Sequence, residues 1–427
     1  MDAIYLNNYP EFALKAKLYA SKLDPCVILD SCGISPQLNK GNYKLVIGFG
    51  GTNIITPSSN KIDSLYNEWH QNKRWMFGVI GYDVKNEIEN LSSLNNKCFN
   101  WPELLFFIPE VIITVNWKDQ LSIVGRNASE LFNEISSIKV ERSKSNSYPT
   151  LARLIQDLWP DEHKEKVNAI KEEITNGNVY EMNLCSRFLY NDMVVEDPYK
   201  LYSDLIQISP SPFSAYFKAN NYHVGSASPE RYLTKKNNAL TSQPIKGTRP
   251  RSKDIHTDEL LKSQLYSDKK DRAENVMIVD LVRNDLGRVS VPGSVVVEEL
   301  FGIYTYSHVH QMVSTISSQL DPQYSWRDVL KATFPMGSMT GAPKIAAMQW
   351  IEKFELSARE WYSGALGYID PDGNMDFSVL IRSIFYDSDS RKLAYFAGGA
   401  ITIDSDPAEE YEEMMVKAKA INSLLDG

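Results

Sequence analysis

Alternating apolar and polar positions run through most of the chain and predict a sheet-rich protein. Short apolar runs such as CVILDSCG and KLVIGFG are separated by turn residues, and FFIPEVIITVNW has the period of two that is typical of strands. Near the other end, GALGYID, MDFSVLIRSIFYD and KLAYFAGGAITID are joined by polar turns and predict an antiparallel meander. The pattern therefore favours strands joined by tight turns.

Apolar residues at helical spacing predict helices between and after these strands. DEHKEKVNAIKEEITNG predicts a helix from about Asp161 to Asn176, and the charged stretch 258–287 predicts further helix. Another helix is predicted after TGAP, with Pro343 in its first turn, and a last one from about Pro407. Strands joined by tight turns, with helices outside them, indicate an α+β fold.

A polar segment without periodicity, VERSKSNSYPT at 140–150, predicts a linker or an exposed loop. It divides the chain into an N-terminal region, 1–150, and a C-terminal region, 151–427. We expect the two regions to pack as one body.

Composition and charge exclude several classes of protein. Of the 427 residues, 43% are hydrophobic and 23% are charged, which is typical of a globular protein. No apolar run reaches the roughly 20 residues that span a bilayer, and no signal pattern precedes the first strands, so we expect a cytoplasmic protein without a membrane partner. The net charge of -9 argues against nucleic acid, and the four cysteines form no C-x-x-C pair that would indicate zinc.

Lys246 is the first candidate for chemistry. It lies in QPIKGTRPR, where a Pro-Ile pair precedes Gly-Thr, and this pattern predicts a sharp turn after a strand with the amine facing a cleft. The more common fate of a lysine on a turn is a solvated surface charge. The segment by itself leaves both interpretations open.

Three glutamates are candidate metal ligands. Glu274 lies at the edge of the apolar stripe of a predicted helix, and Glu410 and Glu413 are three residues apart, which places them on one helix face. Mg²⁺ prefers oxygen ligands and usually takes one or two protein carboxylates. A solvated acidic helix face is the alternative for each of them.

Cationic and small residues near these carboxylates suit an anionic ligand. Arg382 lies among apolar strand residues, where burial of its charge requires a partner, and Lys344 lies at a predicted helix start. In AGGA, 397–400, the small side chains would let a ligand approach the backbone amides.

Seven motifs resemble, in order, those of a known enzyme family. They are SASPERYL, PIKGTRPR, DRAENVMIVDLVRNDLG, GSMTGAPKIAAM, GALGYI, IRS and AGGAITIDSDPAEEYEE, between about Tyr180 and Ala420. The chain resembles the chorismate-utilising enzymes, and among them component I of the aminodeoxychorismate synthases; the N-terminal region resembles that of anthranilate synthase component I more weakly. The resemblance implies large antiparallel sheets packed as a β-sandwich core with helices on the outside.

The resemblance implies roles for two catalytic residues. Lys246 matches a lysine that attacks C2 of the chorismate ring as the 4-hydroxyl leaves, and anthranilate synthases have alanine there. Attack needs a neutral amine, so we expect burial or cationic neighbours to lower the pKa of Lys246. Glu230, in SASPERYL, matches the general acid that protonates the leaving hydroxyl, which requires a protonated carboxyl.

The resemblance also implies a bound Mg²⁺ and a set of substrate contacts. Glu274 and Glu413 match its ligands, with Glu410 a nearby carboxylate, and the ion would link them to the ring carboxylate of the substrate. The expected substrate-binding residues are Arg382, Tyr368, Thr340, Lys344, Gly398, Gly399, Ala400, Gly247 and Thr248.

Three positions depart from the family pattern. Gln311 stands where many relatives have a histidine, and the adjacent His310 should point to the other face of its strand. Without that base, expulsion of pyruvate should be slow. Glu181 stands where isochorismate synthases have a lysine that activates water, which counts against hydroxylation, and Ala400 replaces a frequent glycine.

We therefore expect an aminase that converts chorismate and ammonia to 4-amino-4-deoxychorismate for p-aminobenzoate and folate synthesis. Ammonia would come from a separate glutaminase subunit. The alternatives are anthranilate synthase component I and a non-catalytic subunit that binds chorismate or tryptophan. Ser31, in ILDSCG, resembles part of the tryptophan pocket of relatives, although a strand end packed in the core fits the same pattern.

Overall fold

The computed structural model describes residues 2–7, 10–34, 41–140, 153–306 and 308–425. The predicted linker at 140–150 lies outside these residues except for Val140. Among the described residues, no helix combines the length and the apolar character that crossing a membrane requires.

The helices of the described residues are spread along the whole chain. They are α1 Pro10–Ser21, α2 Lys61–Asn72, α3 Lys85–Ile88, α4 Ala128–Ser137, α5 Pro160–Thr175, α6 Pro198–Ile208, α7 Ile255–Ser267, α8 Lys269–Gly287, α9 Trp326–Thr333, α10 Lys344–Phe354 and α11 Pro407–Leu425. Two short 3₁₀ helices, Tyr82–Val84 and Gly337–Met339, complete the helical structure of this part of the chain.

The strands are short and antiparallel throughout the described residues. They are β1 Asp2–Asn7, β2 Cys26–Asp30, β3 Tyr43–Phe49, β4 Ile54–Ile55, β5 Met76–Ile80, β6 Leu104–Phe107, β7 Val111–Asn116, β8 Gln120–Gly125, β9 Leu154–Gln156, β10 Glu181–Tyr190, β11 Phe213–Ala219, β12 Tyr222–Ser228, β13 Arg231–Lys236, β14 Ala239–Gln243, β15 Ile245–Pro250, β16 Val296–Thr305, β17 Val309–Gln319, β18 Gly341–Ala342, β19 Ala365–Ile369, β20 Met375–Val379, β21 Ser383–Asp387 and β22 Lys392–Ile401.

These strands form two sheets, and each contains strands from both sides of the predicted boundary. The first has 12 strands in the order β1-β8-β7-β3-β2-β11-β12-β21-β22-β10-β18, with β9 beside β10. The second has 10 strands in the order β15-β17-β14-β13-β20-β19-β5-β6-β4, with β16 beside β17. β2 pairs directly with β11, with Leu29 opposite Ala215, so the N-terminal strands extend the sheets of the C-terminal region.

The main hydrophobic core lies between the sheets. Its largest cluster combines Val27 and Phe217 of the first sheet with Phe77 and Leu366 of the second, all fully buried or nearly so. Burial of this kind contributes about 25 cal/mol per Å² of apolar surface, so the sandwich is held chiefly by its two inner faces. The predicted α+β fold, with packed antiparallel sheets and outer helices, is confirmed.

Local predictions agree with the structure apart from three details. The meander near the C-terminus is β19 to β22, and the predicted helix at 161–176 is α5. Stretch 258–287 forms two helices, because Asp268 ends α7 and its side chain caps α8 by accepting from the Asp271 amide. Pro343 precedes α10 as its N-cap rather than lying in its first turn. The third detail concerns Lys246 and is described below.

Candidate active site

A cavity of about 540 Å³ lies where the two sheets meet two helices. Strands β10 and β22 of the first sheet, β15 and β17 of the second, and helices α8 and α11 contribute to its walls. Ten predicted residues line it: Glu230, Lys246, Gly247, Thr248, Glu274, Arg382, Gly398, Gly399, Ala400 and Glu413. Glu230 precedes β13 of the second sheet, and Glu413 lies on α11, which packs on β22 of the first sheet. The packing of the two sheets brings these distant residues to one cavity.

Lys246 lies inside strand β15 at an irregularity, not on a turn after a strand as its sequence context predicts. Ile245 lies opposite Val313, but the register has shifted by the time Thr248 lies opposite Gln311. Gly247 between them has a φ of +84°, and a Cβ there would lie 2.8 Å from Cγ of Asp271. Glycine is thus required at this bulge. Lys246 is buried, and its side chain lines the cavity at this bulge.

The charge environment of Lys246 is opposite to the one expected from the sequence. Its Nζ donates to Oε1 of Glu181 at 2.6 Å and lies 3.8 Å from Oε2 of Glu274. Burial by itself lowers the pKa of Lys246, but the two carboxylates outweigh it and hold that pKa well above its usual range. The expectation that the pKa of Lys246 is lowered is therefore wrong, because it did not include the carboxylate of Glu181.

Glu230 is a buried carboxyl immediately before strand β13. Oγ of Ser338 donates to its Oε1 at 2.5 Å, and Nδ2 of Asn183 in turn donates to the Ser338 carbonyl at 2.6 Å. Burial raises the pKa of Glu230 to about 7, against the opposing effects of the Ser338 hydrogen bond and the Lys246 charge. A large fraction of this carboxyl is therefore protonated at neutral pH, as a general acid requires.

Two lysines lie next to the three candidate metal ligands. Nζ of Lys270 lies 2.6 Å from Oε1 of Glu410 and 3.9 Å from Oε1 of Glu274. Lys417 lies 2.6 Å from Oε1 of the half-exposed Glu413, and its charge lowers the pKa of that carboxyl to about 2. Glu274 differs from its neighbours, because burial raises its pKa to about 7.

The donor set suits a hard divalent cation, although it is not assembled into a cage. Within the described residues, no group of three or more His, Cys, Asp or Glu side chains is arranged to hold a metal ion. Mg²⁺ usually needs only one or two protein carboxylates, with water and substrate oxygens as its other ligands. Glu274 and Glu413 fit that requirement, since both face the cavity and Glu274 accepts no hydrogen bond in the described part of the chain.

Arg382 brings an unpaired positive charge to the cavity wall. It precedes β21 with a φ of +52°, and it forms no salt bridge within the described ranges of the chain. Burial lowers its pKa, yet a guanidinium keeps its charge at physiological pH. An unpaired guanidinium in a cleft is suited to bind a carboxylate by two parallel hydrogen bonds.

Three predicted substrate contacts lie outside this cavity. Tyr368 packs against Tyr43 and Trp75 and lines a different cavity. Thr340 is fully buried, and its Oγ1 donates back to carbonyl groups of its own turn. Lys344 pairs with Asp285 in the interior and donates to the Thr333 carbonyl. None of these three side chains therefore lines the large cavity.

Glu410 lies behind the cavity wall, and Ser31 lies in the second cavity. Glu410 is buried, and a Cβ added to Gly399 would lie 3.3 Å from its Oε2. Ser31 lines a cavity of about 60 Å³ together with Tyr368 and Trp117. The Ser31 hydroxyl and the Trp117 indole N–H are both buried without a hydrogen-bond partner among the described residues.

Gln311 and His310 lie on opposite faces of β17, as the alternation of side chains along a strand predicts. Gln311 faces the large cavity, and its Oε1 is buried without a partner in the described part of the molecule. His310 faces the other way, with its Nε2 3.0 Å from Oδ1 of Asp258 and its Nδ1 2.9 Å from Oγ1 of Thr305. His310 therefore joins β17 to α7 and does not reach the cavity.

Sequence reasoning missed several groups of the site. Glu181 was noted only as a departure, yet it is the nearest partner of Lys246. Asn183, Ser338, Tyr362, Lys270 and Lys417 also line the cavity. Three of them carried a signal: Lys417 follows Glu413 and Lys270 precedes Glu274 by four residues, about one helical turn, and Ser338 belongs to the same GSMTGAP segment as Thr340. The loop that carries Tyr362 gave no such signal.

Comparison with known proteins identifies the family. The sequence model of the chorismate binding enzyme family matches residues 46–423 of this chain. Anthranilate synthase component 1 of Saccharolobus solfataricus is 36% identical over 83% of this chain and 81% of its own, and aminodeoxychorismate synthase component 1 of Escherichia coli is 34% identical over 82% and 76%. The crystal structure of anthranilate synthase component I from Streptococcus pneumoniae has the same fold, with a TM-score of 0.78, 24% identity and coverage of 92% and 94%. This chain belongs to the chorismate binding enzyme family.

Proposed function

We propose that this enzyme aminates chorismate at C4, as component I of an aminodeoxychorismate synthase, with ammonia supplied by a separate glutaminase subunit. The product would be 4-amino-4-deoxychorismate, the precursor of p-aminobenzoate in folate synthesis. The observation that carries the proposal is the presence of the Lys246 amine and the protonatable Glu230 carboxyl in one cavity. In this proposal, Lys246 supplies the nucleophile and Glu230 the acid that replacement of the C4 hydroxyl requires.

The first half of the reaction uses both groups. Lys246 passes a proton to Oε1 of Glu181, 2.6 Å away, and its neutral Nζ attacks C2 of the ring. The ring double bonds shift, the C4–O bond breaks, and Glu230 protonates the departing hydroxide to give water. The raised pKa of Lys246 makes Glu181 necessary in this scheme, since an ammonium has no electron pair to donate.

The second half reverses the attack with ammonia. Ammonia bonds to C4, the double bonds shift back, and the C2–N bond breaks with its electrons returning to Lys246. Glu181 then returns the proton to that amine, and the ionised Glu230 takes up a proton from the new ammonium at C4, which restores both carboxyl groups. The ring keeps its enolpyruvyl group if no base removes the ring proton, and the amide of Gln311 at the cavity wall cannot serve as that base.

Substrate binding follows from the charges of the cavity. Chorismate is a dicarboxylate, and the unpaired Arg382 guanidinium suits one carboxylate. We propose that Glu274 and Glu413 hold Mg²⁺, which when bound neutralises the ring carboxylate of the substrate. Lys417 must then move away from Glu413, because its Nζ lies 2.6 Å from Oε1 of that carboxylate.

Product mass tests the proposed reaction most directly. Incubation of the protein with chorismate, Mg²⁺ and ammonia should give a product that retains the enolpyruvyl group and carries nitrogen in place of the C4 hydroxyl. Addition of a lyase specific for that product should then release p-aminobenzoate. Fluorescent anthranilate formed without a lyase would contradict the proposal.

The metal assignment needs a separate test, because it is independent of the reaction product. Glu274→Gln should lower Mg²⁺ affinity at least about tenfold in calorimetric titrations, since it removes a charged ligand. Glu412→Gln, on the exposed face of the same helix as Glu413, is the matched control and should bind as the wild type does. Equal affinity in Glu274→Gln and wild type would refute Glu274 as a ligand.

Anthranilate synthase component I is the second candidate, and the names of some relatives favour it. The Saccharolobus solfataricus relative carries that name, as does the Streptococcus pneumoniae neighbour. Lys246 and Gln311 argue against it, because that reaction requires removal of a ring proton and expulsion of pyruvate. The product measurement above separates the two candidates, since only anthranilate lacks the enolpyruvyl group.

A further inference from the structure

The Ser338 hydroxyl forms the side-chain hydrogen bond that holds Glu230. Oγ of Ser338 donates to Oε1 of Glu230 at 2.5 Å, and both side chains line the large cavity. Ser338 lies in the 3₁₀ helix Gly337–Met339, which comes from a different part of the fold than the segment that carries Glu230. The bond therefore fixes the Glu230 carboxyl relative to this 3₁₀ helix.

The position of Ser338 is itself fixed by the neighbouring strand. The side-chain Nδ2 of Asn183, on β10, donates to the Ser338 carbonyl at 2.6 Å. The backbone N–H of Asn183 donates to the Thr340 carbonyl at 2.9 Å. The Thr340 hydroxyl returns to carbonyl groups of the same turn. The 3₁₀ helix that carries Ser338 is thus bonded at both ends, so its hydroxyl is preorganised toward Glu230.

We propose that Ser338 is the positioning residue of the general acid: its hydroxyl orients the Glu230 carboxyl toward the leaving hydroxide and sets the pH range in which that carboxyl stays protonated. This inference rests on the proposed function, since it assumes that Glu230 acts as an acid. It assigns a role to the serine of the GSMTGAP segment.

The expected direction of the pH effect follows from the groups around Glu230. Burial raises its pKa, whereas the Ser338 hydrogen bond, the charge of Lys246 and a hydrogen bond from the Ile245 backbone lower it, because all three favour the ionised form. The other charged groups that line the same cavity are Arg249, Lys270, Asp271, Glu274, Arg382, Glu413 and Lys417. Removal of the hydroxyl should therefore raise the pKa of Glu230, and the acid should stay protonated to higher pH.

Two readouts of Ser338→Ala separate positioning from a general structural role. We expect kcat to fall about tenfold, because the carboxyl loses its orientation. At the same time, the alkaline limb of the pH profile should move upward by about one pH unit, because a hydrogen bond to a charged group is lost. Ser338→Thr keeps the hydroxyl and should restore both values most of the way.

Ser357→Ala is the matched control. Ser357 is buried like Ser338, but its hydroxyl has no hydrogen-bond partner among the described residues. This variant should keep the wild-type kcat and the wild-type limb. A Ser338→Ala profile with an unmoved or a downward-shifted limb would overturn the proposal, as would full activity at every pH.

A spectroscopic measurement keeps the inference testable without turnover. The carbonyl stretch of protonated Glu230 can be isolated as the infrared band that Glu230→Gln lacks, and its loss with rising pH gives the pKa directly. In Ser338→Ala this pKa should rise, and in Ser357→Ala it should not change. If the protein failed to aminate chorismate but the band still moved, the proposed function would fail while the Ser338–Glu230 coupling stood. An unmoved band would refute the coupling itself.

Discussion

Two cavities lie between the sheets, and they differ in how their charged groups are balanced. In the large cavity, Glu230 and Glu274 have pKa values raised to about 7, and Arg382 has no salt-bridge partner in the described part of the chain. In the small cavity, Arg231 forms a bidentate pair with Asp376 at 2.9 and 3.1 Å. The large cavity is also about nine times larger, 540 against 60 Å³.

This contrast indicates which cavity is built for chemistry. Buried charged groups are costly unless a partner offsets their desolvation. In the small cavity the protein supplies the partners, so the charges stabilise the fold. In the large cavity Lys246 and Glu413 also have protein partners, but Arg382 has none among the described residues, so a carboxylate of the substrate can supply it. Variants in the two cavities should therefore fail in different ways.

Lys246→Met should give the largest effect on turnover. It removes the amine that attacks the ring but keeps an aliphatic chain of similar length, so we expect chorismate consumption with ammonia to fall at least about 10³-fold. Acid-quenched wild-type enzyme should show an added mass equal to that of the substrate less one water, which the variant should lack. Lys235→Met, at a buried lysine that donates to the Gly373 carbonyl outside the large cavity, should retain turnover. Turnover within tenfold of wild type in Lys246→Met would exclude covalent catalysis.

Glu230→Gln should lower turnover about 10²- to 10⁴-fold and at the same time stabilise the protein at alkaline pH. The folded pKa of about 7 exceeds the ordinary value of 4.5, so the folded state binds more protons and wild-type stability falls as pH rises between these values. Glutamine does not titrate. Relative to wild type, the variant should therefore gain about 3 kcal/mol between pH 4.5 and pH 8. Urea unfolding at both pH values measures this, and an unchanged difference would contradict the raised pKa.

The two cavities also show what the sequence could and could not predict. The strands were readable because alternation and turn residues are local, and Glu230 and Arg382 were readable because their motifs are contiguous. Glu181 as the partner of Lys246 was not, since 65 residues separate the two and the contact depends on how the two sheets pack. Tyr368 was expected to contact the substrate, but its ring packs on Tyr43 and Trp75 beside the small cavity.

Asp376→Asn should reverse the pattern, with a loss of stability and little loss of turnover. The change removes a carboxylate from a bidentate pair with the buried Arg231, which keeps its bond to Gln243. Loss of one partner of a buried pair costs about 3 kcal/mol in unfolding free energy. The turnover number should stay within about twofold, because Asp376 does not line the large cavity. Asp372→Asn, at an exposed carboxylate of the adjoining turn, is the control. A selective loss of turnover would refute the division of roles.

Ser31→Leu should have the smallest effect and tests whether tryptophan binds in the small cavity. The leucine replaces a buried hydroxyl that has no partner in the described residues and fills part of the cavity beside it, so unfolding free energy should change by less than about 1 kcal/mol and turnover by less than about twofold. We expect tryptophan to raise the unfolding midpoint of wild type, because a ligand that binds only the folded state stabilises it. The filled cavity should abolish that rise. An equal rise in Ser31→Leu would place tryptophan elsewhere, and inhibition competitive with chorismate would then show whether it binds in the large cavity of about 540 Å³.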